Sequence, residues 1–450
     1  MNRLFGTDGV RGIANTELTC ELCMQIGRAI AHILSENLNG KKLRVLIGKD
    51  TRLSSDMLEN AVSAGLCSAG ADVLQLGVLP TPAVAYLVRE YGCDAGIMIS
   101  ASHNPYEYNG IKVFKSNGYK LPDELEEKIE EIIPRNVTEF STPIGEKIGC
   151  VKKSENAVAD YIEHLVSVTD TNFKGYKIAL DCANGSSSVT AKEVFTCLGA
   201  EVVVINADPD GVNINKNCGS TRIEALQKCV RENNCDLGFA FDGDADRMLA
   251  VDNTGSVVDG DKCIAICAQH LKQLGKLKCN TVVVTVMSNF GFFRFCDKNG
   301  IKCEKTKVGD RFVLEKMSEN GFCLGGEQSG HIIFLEHATT GDGQLSAIKL
   351  LTALKFSGKT LKELSDEIEA YPQMLINVTV SDFGKAQFSK DKEIQNAIRQ
   401  AEKELGDEGR ILVRLSGTEP LVRVMLEGKN SDKINELGES VAQVIRERLV

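Results

Sequence analysis

The sequence predicts an α/β fold whose mostly parallel, doubly wound sheets carry polar loops at the ends of their strands. Apolar runs of strand length alternate with amphipathic helical segments, and many of these runs end in short glycine-containing loops. The length of 450 residues is enough for three or four domains of ordinary size. Because open α/β sheets bind ligands at the carboxyl ends of their strands, the loops that follow strands are the first candidates for function.

Composition narrows the class of protein. Hydrophobic content of 43% and charged content of 25% are typical of a soluble globular chain. The formal net charge of −10 argues against a nucleic-acid-binding protein, so an anionic ligand would need locally clustered Arg and Lys. No apolar run reaches the length of a membrane span and the first residues do not resemble a signal peptide, so we expect a cytoplasmic protein without membrane contact.

Sixteen cysteines are scattered through the predicted strands and helices. A chain of this size does not need disulfides to fold, so we interpret them as reduced thiols. Cys20 and Cys23 form a Cys-x-x-Cys motif inside a helical pattern, and the sequence has no second such pair. Packing on one helix face is therefore favoured over a zinc or redox role for these two residues.

The first predicted unit opens with a candidate anion-binding loop. Residues 5–12 (FGTDGVRG) are punctuated by glycines, whose backbone amides can approach an anion, and Arg11 can hold a phosphate with two donors. A surface turn fits this segment equally well. The helices and strands that follow are predicted at 20–34, 43–48, 55–69, 73–76, 95–99 and 122–133.

Ser102 lies on the tight turn that follows the apolar strand 95–99, in the segment 100–105 (SASHNP). Pro105 stops either a strand or a helix from continuing, so the serine hydroxyl is placed at a strand end. An ordinary polar loop is the alternative. Lys112 follows in an alternating, strand-like pattern, as either a solvated strand lysine or a functional one.

The strongest chemical signal lies in the second unit, where the predicted strand 237–241 ends in Asp242-Gly243-Asp244-Ala245-Asp246-Arg247. Three carboxylates at alternating positions repel one another unless a cation lies between them. An EF-hand is excluded, because its sixth and twelfth positions should be Gly and Glu but are Arg247 and Asn253 here. A metal site is favoured over a solvated acidic turn. Among metals Mg²⁺ is favoured, because a site with only a few protein ligands leaves room for water and a substrate phosphate. The other elements of this unit are predicted at 176–181, 201–205 and 222–233.

The third predicted unit, 258–365, contains the strand 281–286 and the loop 307–311. It then reaches the segment 326–331 (GEQSGH), in which Glu327, a glutamine, Ser329 and His331 stand among glycines. Such a loop can hydrogen-bond several sugar hydroxyls at once, whereas a structural turn is the better interpretation of the motif in isolation.

The last predicted unit begins after residue 372. Its strands and helices are predicted at 375–380, 390–405, 410–414, 421–426 and 431–449. Between the last two strands, a segment brings together two arginines, two hydroxyls and a glycine, namely Arg414, Ser416, Gly417, Thr418 and Arg423. This set is typical of a phosphate cradle, and a plain hairpin loop would have little use for it.

Four features together predict phosphoryl transfer on a phosphorylated sugar. They are the serine on a turn, the metal-binding loop 242–247, the loop 326–331 and a separate phosphate cradle. Because the loop 326–331 can hydrogen-bond sugar hydroxyls, we call it the hydroxyl-reading loop. Mg²⁺ would neutralise the charge that develops on the transferring group, helped by Arg247. A hydrolase needs one phosphate site, whereas an enzyme that moves phosphate between two ends of a substrate must also hold the far phosphate.

The motifs at 100–105, 242–247, 326–331 and 414–423 stand in the order of the α-D-phosphohexomutase family, which the chain resembles over its whole length. The opening 5–12 and the loop 326–331 are most similar to the glucosamine branch of that family. The resemblance implies three related mixed α/β domains and a smaller C-terminal α+β domain, similar to the TATA-binding-protein fold, around a central cleft. The four domains are predicted at 1–155, 156–256, 257–369 and 370–450.

The resemblance also implies a reaction. Ser102 would act as a phosphoserine, and one Mg²⁺ per subunit would be held by its phosphate and by Asp242, Asp244 and Asp246. Glucosamine 6-phosphate would become glucosamine 1-phosphate through glucosamine 1,6-bisphosphate, which also serves as activator. The product would feed UDP-N-acetylglucosamine and peptidoglycan precursor synthesis.

The implied site residues fall into two sets. The catalytic candidates are Arg11, Ser102, His103, Lys112, Arg247 and His331. The candidates for contact with the sugar and its phosphates are Glu327, Ser329, His331, Arg414, Ser416, Gly417, Thr418 and Arg423. For the proton acceptor we favour Lys112 over His331, with Arg11 assisting, and a lysine in that role needs a lowered pKa.

Three alternatives stay open at this point. They are a phosphomannomutase or phosphoglucomutase with the same mechanism, a serine-dependent phosphatase, and a silent relative that only binds sugar phosphates. Retention of Ser102, the three loop aspartates and both cradle arginines argues against the last. The sequence leaves the oligomeric state open, with a homodimer as one option.

Overall fold

The structure is a computed structural model of the chain and describes residues 4–6, 8–36, 38, 40–133, 142–416 and 420–450. It divides into two compact units. The first comprises Met1–Met287 and Ile301–Ser365, and the second comprises Ser288–Gly300 and Asp366–Val450.

The first unit begins with a six-stranded sheet and four helices. The strands are β1 (Val10–Ile13), β2 (Arg44–Lys49), β3 (Asp72–Val78), β4 (Ala95–Ile99), β5 (Tyr108–Lys115) and β6 (Val151–Lys153). The helices are α1 (Cys20–Ser35), α2 (Ser55–Ser68), α3 (Thr81–Glu90) and α4 (Asp123–Ile132). The sheet has the order β1-β5-β4-β2-β3-β6, in which β5 is antiparallel to β4 and β1 while β2, β3, β4 and β6 are parallel.

The helix α1 shows how the sequence specifies these elements. The Thr19 side chain accepts a hydrogen bond from the Leu22 N–H (3.2 Å) and caps the helix. The apolar side chains of Ile26 and Ile30 recur at helical spacing and are buried in the core of the domain. Cys23 is buried on the same face, and burial raises the pKa of its thiol to about 12, as expected of a packing residue.

Two further sheets complete the first unit. The strands of the second sheet are β7 (Lys177–Asp181), β8 (Glu201–Ile205), β9 (Leu237–Phe241), β10 (Met248–Asp252) and β11 (Val257–Val258). Those of the third are β12 (Thr281–Thr285), β13 (Lys302–Thr306), β14 (Leu324–Gly326) and β15 (Ile332–Phe334). The helices between residues 157 and 366 are α5 (Ala157–Ser167), α6 (Ala191–Cys197), α7 (Glu224–Glu232), α8 (Gly260–Gln273), α9 (Phe290–Lys298), α10 (Asp310–Asn320), α11 (Gly343–Ser357) and α12 (Leu361–Asp366), of which α9 belongs to the second unit.

The same order of four strands occurs in all three sheets. It is β3-β2-β4-β5 in the first, β8-β7-β9-β10 in the second and β13-β12-β14-β15 in the third. In each case the first three strands are parallel and the fourth is antiparallel to the third. The loops between the third and fourth strands, at 100–107, 242–247 and 327–331, include the serine, aspartate and hydroxyl-reading motifs found in the sequence.

The second unit is built on a three-stranded antiparallel sheet of order β16-β18-β17, and it includes α9. Its strands are β16 (Gln373–Thr379), β17 (Gly409–Leu415) and β18 (Leu421–Gly428), and its other helices are α13 (Asp382–Gln387), α14 (Lys392–Leu405) and α15 (Ser431–Leu449). The side chains of Val422, Ile394 and Ile445 lie in its core. The N–H of Phe290, at the start of α9, donates to the buried carboxylate of Glu427 (3.0 Å).

The predicted fold class is confirmed, since three mixed α/β sheets precede a smaller α+β domain. The predicted domain boundaries stay a prediction. Within the described ranges, no helix is both long and apolar enough to cross a membrane. All sixteen cysteines have free thiols, in agreement with their interpretation as reduced residues.

Candidate active site

Ser102 lies in the loop between β4 and β5, and the site is built around it. The residue is 1% exposed, and its φ of 53° lies in the left-handed region, which L residues rarely adopt. Its N–H donates to Ser100 Oγ (2.9 Å), and its hydroxyl donates to Asp242 Oδ2 (2.6 Å). The serine hydroxyl therefore points at the loop 242–247 of the second sheet, which we call the aspartate loop.

Asp242, Asp244 and Asp246 follow β9 and are all buried. One carboxylate oxygen from each lies within 4.8 Å of the others. Asp244 Oδ1 and Asp246 Oδ1 are buried and have no hydrogen-bond partner in the described part of the chain. Burial, together with the charges of Asp246 and Asp244, raises the pKa of Asp242 to about 8. Buried, unpaired oxygens that converge in this way suit a divalent cation, so these residues could hold a metal ion.

Lys112 occupies β5 and is 1% exposed, so its interpretation as a solvated strand lysine is wrong. Its Nζ lies 2.8 Å from Asp244 Oδ2, 3.0 Å from Asp8 Oδ2 and 3.4 Å from Asp246 Oδ2. Burial lowers the pKa of Lys112, but the charges of these carboxylates outweigh burial and hold the pKa well above its ordinary value. A proton acceptor needs the opposite shift, and the role of Lys112 as the base stays a prediction.

A cavity of about 440 Å³ opens beside the aspartate loop. The charged and titratable residues on its wall are Asp8, Arg11, Asp246, Arg247, Asp310, Glu327 and His331. Arg11 forms an ion pair with Asp8, and the Arg247 N–H donates to Asp242 Oδ1 (3.2 Å). Two guanidinium groups on one cavity suit a phosphorylated ligand, because each can bind phosphate oxygens through two donors.

The two predicted histidines face different groups. His103 Nδ1 lies 3.5 Å from Ser102 Oγ, and burial and the charge of neighbouring arginines lower the pKa of this ring. His331 Nε2 accepts the Gly341 N–H (3.0 Å), which places the ring proton on Nδ1, 3.7 Å from Asp246 Oδ1. His103 is therefore the histidine beside the serine, and His331 lies on the wall of the cavity.

The hydroxyl-reading loop between β14 and β15 turns tightly. The Glu327 N–H donates to the His331 carbonyl (3.0 Å), and Glu327 Oε1 accepts the Gly309 N–H (3.1 Å). Glu327 and His331 lie on the wall of the cavity, whereas Ser329 is exposed and does not line it. The structure thus brings two of the three residues predicted to contact the sugar from this loop to the cavity.

The predicted phosphate cradle lies in the second unit. Arg414 on β17 and Arg423 on β18 are directly opposite each other in the sheet. Burial and the charge of Arg423 lower the pKa of Arg414, as expected when two like charges face each other. Ser416 is buried, and its N–H donates to the Leu421 carbonyl (2.9 Å). Gly417 and Thr418 lie outside the described residues.

Three charged residues of the site had no role in the sequence prediction. Asp8 Oδ1 accepts from Lys120 Nζ (2.5 Å), and Lys120 Nζ also donates to Asp310 Oδ2 (2.7 Å). Asp310 Oδ2 in turn lies 3.6 Å from His331 Nε2. Asp8 and Asp310 stand in segments that the sequence singled out, but nothing in the local pattern around Lys120 pointed to it. Together these residues extend the ion network around Lys112 to the hydroxyl-reading loop.

Comparison with known proteins places this geometry in a family. Sequence profiles of the phosphoglucomutase/phosphomannomutase family match in four segments: alpha/beta/alpha domain I at 2–139, domain II at 159–255, domain III at 259–371 and the C-terminal domain at 375–444. A phosphoglucosamine mutase of Clostridium novyi (strain NT) is 55% identical over 448 residues, which cover 100% of this chain and 99% of that protein.

Two solved structures share the fold. A phosphoglucomutase/phosphomannomutase family protein from Burkholderia thailandensis superposes with a TM-score of 0.84 at 23% identity, over 100% of this chain and 99% of its own. The Aspergillus fumigatus N-acetylphosphoglucosamine mutase, solved in complex with GlcNAc-6P and magnesium, superposes with a TM-score of 0.72 at 18% identity, over 99% and 96%. With all four domain profiles matched and a relative at 55% identity that spans the sequence, the chain belongs to the phosphoglucomutase/phosphomannomutase family.

Proposed function

We propose that this chain interconverts glucosamine 6-phosphate and glucosamine 1-phosphate through a phosphoserine at Ser102 and a glucosamine 1,6-bisphosphate intermediate. The observation that carries the chemistry is the 2.6 Å contact between Ser102 Oγ and Asp242 Oδ2, which puts a serine nucleophile beside a group of carboxylates suited to a cation. The amino sugar is proposed from the phosphoglucosamine mutase that is 55% identical over the full chain.

The reaction balances as two phosphoryl transfers. In the first, the 1-hydroxyl oxygen of glucosamine 6-phosphate bonds to the phosphorus on Ser102, the bond from phosphorus to Oγ breaks, and the hydroxyl proton passes to the serine oxygen. In the second, the bisphosphate turns in the site and the serine oxygen attacks its 6-phosphate. The bond from that phosphorus to the sugar 6-oxygen breaks, the serine is phosphorylated again, the proton of the serine hydroxyl passes to the sugar 6-oxygen, and glucosamine 1-phosphate leaves.

The metal proposed for the aspartate loop is one Mg²⁺ per subunit, held by Asp242, Asp244, Asp246 and a phosphate oxygen on Ser102. When bound, it supplies positive charge against the charge that develops on the transferring group. Arg11 and Arg247 would bind phosphate oxygens on the wall of the cavity.

The substrate is proposed to be held at both ends. Glu327 and His331 would hydrogen-bond the sugar hydroxyls. The non-reacting phosphate would be held by the residues of the phosphate cradle, which are Arg414, Ser416, Gly417, Thr418 and Arg423. Ser329, which is exposed, is also proposed to contact the sugar.

The contacts favour His103 for proton exchange at the serine, because its Nδ1 lies 3.5 Å from Ser102 Oγ. Lys112 Nζ is already in contact with three carboxylates, and His331 Nε2 already accepts a backbone N–H. We therefore assign Lys112 a charge-balancing role. The pH–rate profile of His103→Gln, compared with that of Lys112→Met, tests the assignment, since only the variant without the proton acceptor loses the acidic limb of the profile.

The test of function is the rate of isomerisation of glucosamine 6-phosphate, glucose 6-phosphate and mannose 6-phosphate, with Mg²⁺ and traces of the matching bisphosphates. We expect a strong preference for the amino sugar that is lost in Ser102→Ala and kept in Ser318→Ala, an exposed serine on α10. Equal or better turnover of glucose or mannose phosphate would favour a phosphoglucomutase or phosphomannomutase. Release of inorganic phosphate at the rate of isomerisation would favour a phosphatase.

Two further predictions accompany this function. The homodimer is tested by light scattering on the purified protein, where a mass of about twice 48.9 kDa is expected. The cytoplasmic location and the supply of UDP-N-acetylglucosamine precursors are tested by depletion in the source cells, with fractionation and measurement of the two glucosamine phosphates.

A further inference from the structure

Arg52 is a buried arginine that the proposed reaction does not use. It stands in the loop between β2 and α2 and is 3% exposed, next to Asp50, which is 1% exposed. Its guanidinium donates to Asp50 Oδ2 (2.8 Å) and to four backbone carbonyls of the serine loop and its far end, those of Ser102, Asn104, Pro105 and Tyr108. All five N–H donors of the side chain are therefore used, and four of them hold one loop.

The Asp50–Arg52 pair holds Ser102 from both sides of its Cα. Arg52 donates to the Ser102 carbonyl (2.9 Å). Asp50 Oδ2 accepts from Ser100 Oγ (2.6 Å), and Ser100 Oγ accepts the Ser102 N–H (2.9 Å). The carbonyl and, through Ser100, the amide of Ser102 are thus tied to two residues of one loop.

A second donor reaches the same carbonyl from the second sheet. Asn215, in the loop after β8, donates from Nδ2 to the carbonyls of Ser102 (2.9 Å) and Asn104 (3.1 Å). Gly243 of the aspartate loop packs against this group so closely that a Cβ there would lie 2.6 Å from the Ser102 carbonyl oxygen. The carbonyl is therefore enclosed by donors and backbone from three separate loops.

We propose that Asp50, Arg52 and Asn215, together called the clamp, are positioning residues that lock Ser102 in its left-handed conformation and so aim its phosphoryl group at the bound sugar. This inference rests on the proposed function. A serine with φ of 53° relaxes toward negative φ unless its peptide groups are held, and relaxation would turn the oxygen away from Asp242. Misplacement by about 1 Å can cost about 100-fold in rate.

The experiment compares Arg52→Lys and Asn215→Ala with matched controls elsewhere in the first unit. The controls are Arg28→Lys, whose Nε donates to Ser68 Oγ (2.9 Å), and Asn233→Ala, whose Nδ2 donates to the Cys229 carbonyl (2.9 Å). For each protein, kcat and KM for the sugar phosphate are measured. The lifetime of the phosphoserine in buffer is followed by intact mass, and its ³¹P resonance is recorded.

We expect kcat to fall about 10- to 100-fold in both clamp variants, with KM within about twofold of the wild type, a shifted ³¹P resonance and a changed phosphoserine lifetime. The controls should behave as the wild type. Asn215→Ala leaves the buried ion pair intact, so it tests the inference even if Arg52→Lys does not fold. A folded Asn215→Ala with wild-type kcat, lifetime and resonance would overturn the inference.

The experiment distinguishes failure of the proposed function from failure of the positioning inference. A wild-type protein that takes up phosphate on Ser102 but isomerises none of the three hexose phosphates refutes the function, while the lifetime and resonance of the clamp variants still test the positioning of Ser102. A wild-type enzyme that isomerises, beside clamp variants with unchanged kinetics, refutes only the clamp.

Discussion

Ser102 Oγ donates a hydrogen bond of 2.6 Å to Asp242 Oδ2, although the two residues stand 140 positions apart. Each residue follows the third strand of its own four-strand order, β4 for the serine and β9 for the aspartate. The bond therefore joins equivalent loops of two repeats. Because the serine and the carboxylates share this contact, we expect a change in either loop to affect the chemistry of the other.

Replacing one carboxyl of the aspartate loop by an amide should weaken metal binding and stabilise the metal-free protein. In Asp242→Asn, the amide oxygen can still accept from Ser102, and the folded chain no longer contains the buried carboxyl whose pKa is raised to about 8 by burial and by the charges of Asp246 and Asp244. Burying that carboxyl costs stability at neutral pH, because its pKa in the unfolded chain is far lower. We expect Mg²⁺ affinity to fall, and the free energy of unfolding in EDTA to rise by about 1–2 kcal/mol. Calorimetric Mg²⁺ titration and thermal melting measure the two effects. The control is Asp236→Asn, which replaces a surface carboxylate that accepts the Lys177 N–H. A melting temperature of Asp242→Asn in EDTA at or below that of the wild type would contradict the prediction.

Lys112→Met should destabilise the protein strongly. The variant leaves the carboxylates of Asp8, Asp244 and Asp246 without the cation that lies between them. Breaking a buried ion pair in this way costs about 3–5 kcal/mol. Thermal melting should show a large loss, part of which returns when Asp8→Asn is added.

The matched control for Lys112 is Lys177→Met, which removes an exposed pair with Glu201 (3.1 Å). Such a pair contributes at most about 1 kcal/mol. Equal losses in the two lysine variants would show that the charges around Lys112 are not balanced by its ammonium group.

Gly243→Ala should lower activity more than stability. A Cβ at this position would lie 2.6 Å from the Ser102 carbonyl oxygen and 2.8 Å from Asn215 Nδ2, so the serine and aspartate loops must move apart. We expect a fall of about tenfold or more in kcat, and weaker Mg²⁺ binding. Gly358→Ala is the contrasting variant, because this glycine ends α11 with φ of 67° in open space. Gly358→Ala should cost about 1 kcal/mol of stability without a change in kcat. Wild-type kinetics in Gly243→Ala would refute the predicted clash.

His164 should make the protein less stable in acid. Burial, and then the charges of His337 and Arg89, lower the pKa of His164 to about 4, and its ring stacks on Tyr86 with centroids 3.9 Å apart. The unfolded chain, with an ordinary pKa of about 6.5, binds more protons between pH 4 and 6.5, so the stabilisation is complete above that window and is lost as the pH falls through it.

The measurement for His164 is the melting temperature against pH for the wild type and His164→Phe, which keeps an aromatic ring on Tyr86. We expect the wild-type curve to fall more steeply than the variant curve as the pH drops from 7 to 4.5. Parallel curves would mean that His164 takes up its proton equally in the folded and unfolded chain.

Much of the secondary structure followed from local pattern. The strands 95–99 and 237–241 and the helix 431–449 have the predicted bounds, because their apolar runs and caps are local features. The repeated strand order was not predictable in this way. The antiparallel pairing of β4 with β5 and of β9 with β10 depends on contacts that the local sequence does not encode.

The site residues likewise fall into those that a local motif identifies and those whose roles depend on distant contacts. Ser102 and the three aspartates stand in short motifs whose chemistry is visible in the sequence, and the family resemblance they carry is confirmed. Arg52, Lys120 and Asp310 were missed, because each acts through partners 50 to 190 positions away. The environment of Lys112 was also invisible, since a strand lysine among apolar residues shows neither its burial nor the carboxylates that face it.

The three loops that leave equivalent strands have an evolutionary consequence. One topological position carries the proposed nucleophile in the first repeat, the acidic group in the second and the residues proposed to contact the sugar in the third. Such an arrangement is expected of a chain assembled by duplication of one ancestral unit, followed by divergence of each copy. Because each loop is held between its own pair of strands, a descendant can acquire a new sugar preference through the third copy alone, while the inherited phosphoryl chemistry of the other two is left unchanged.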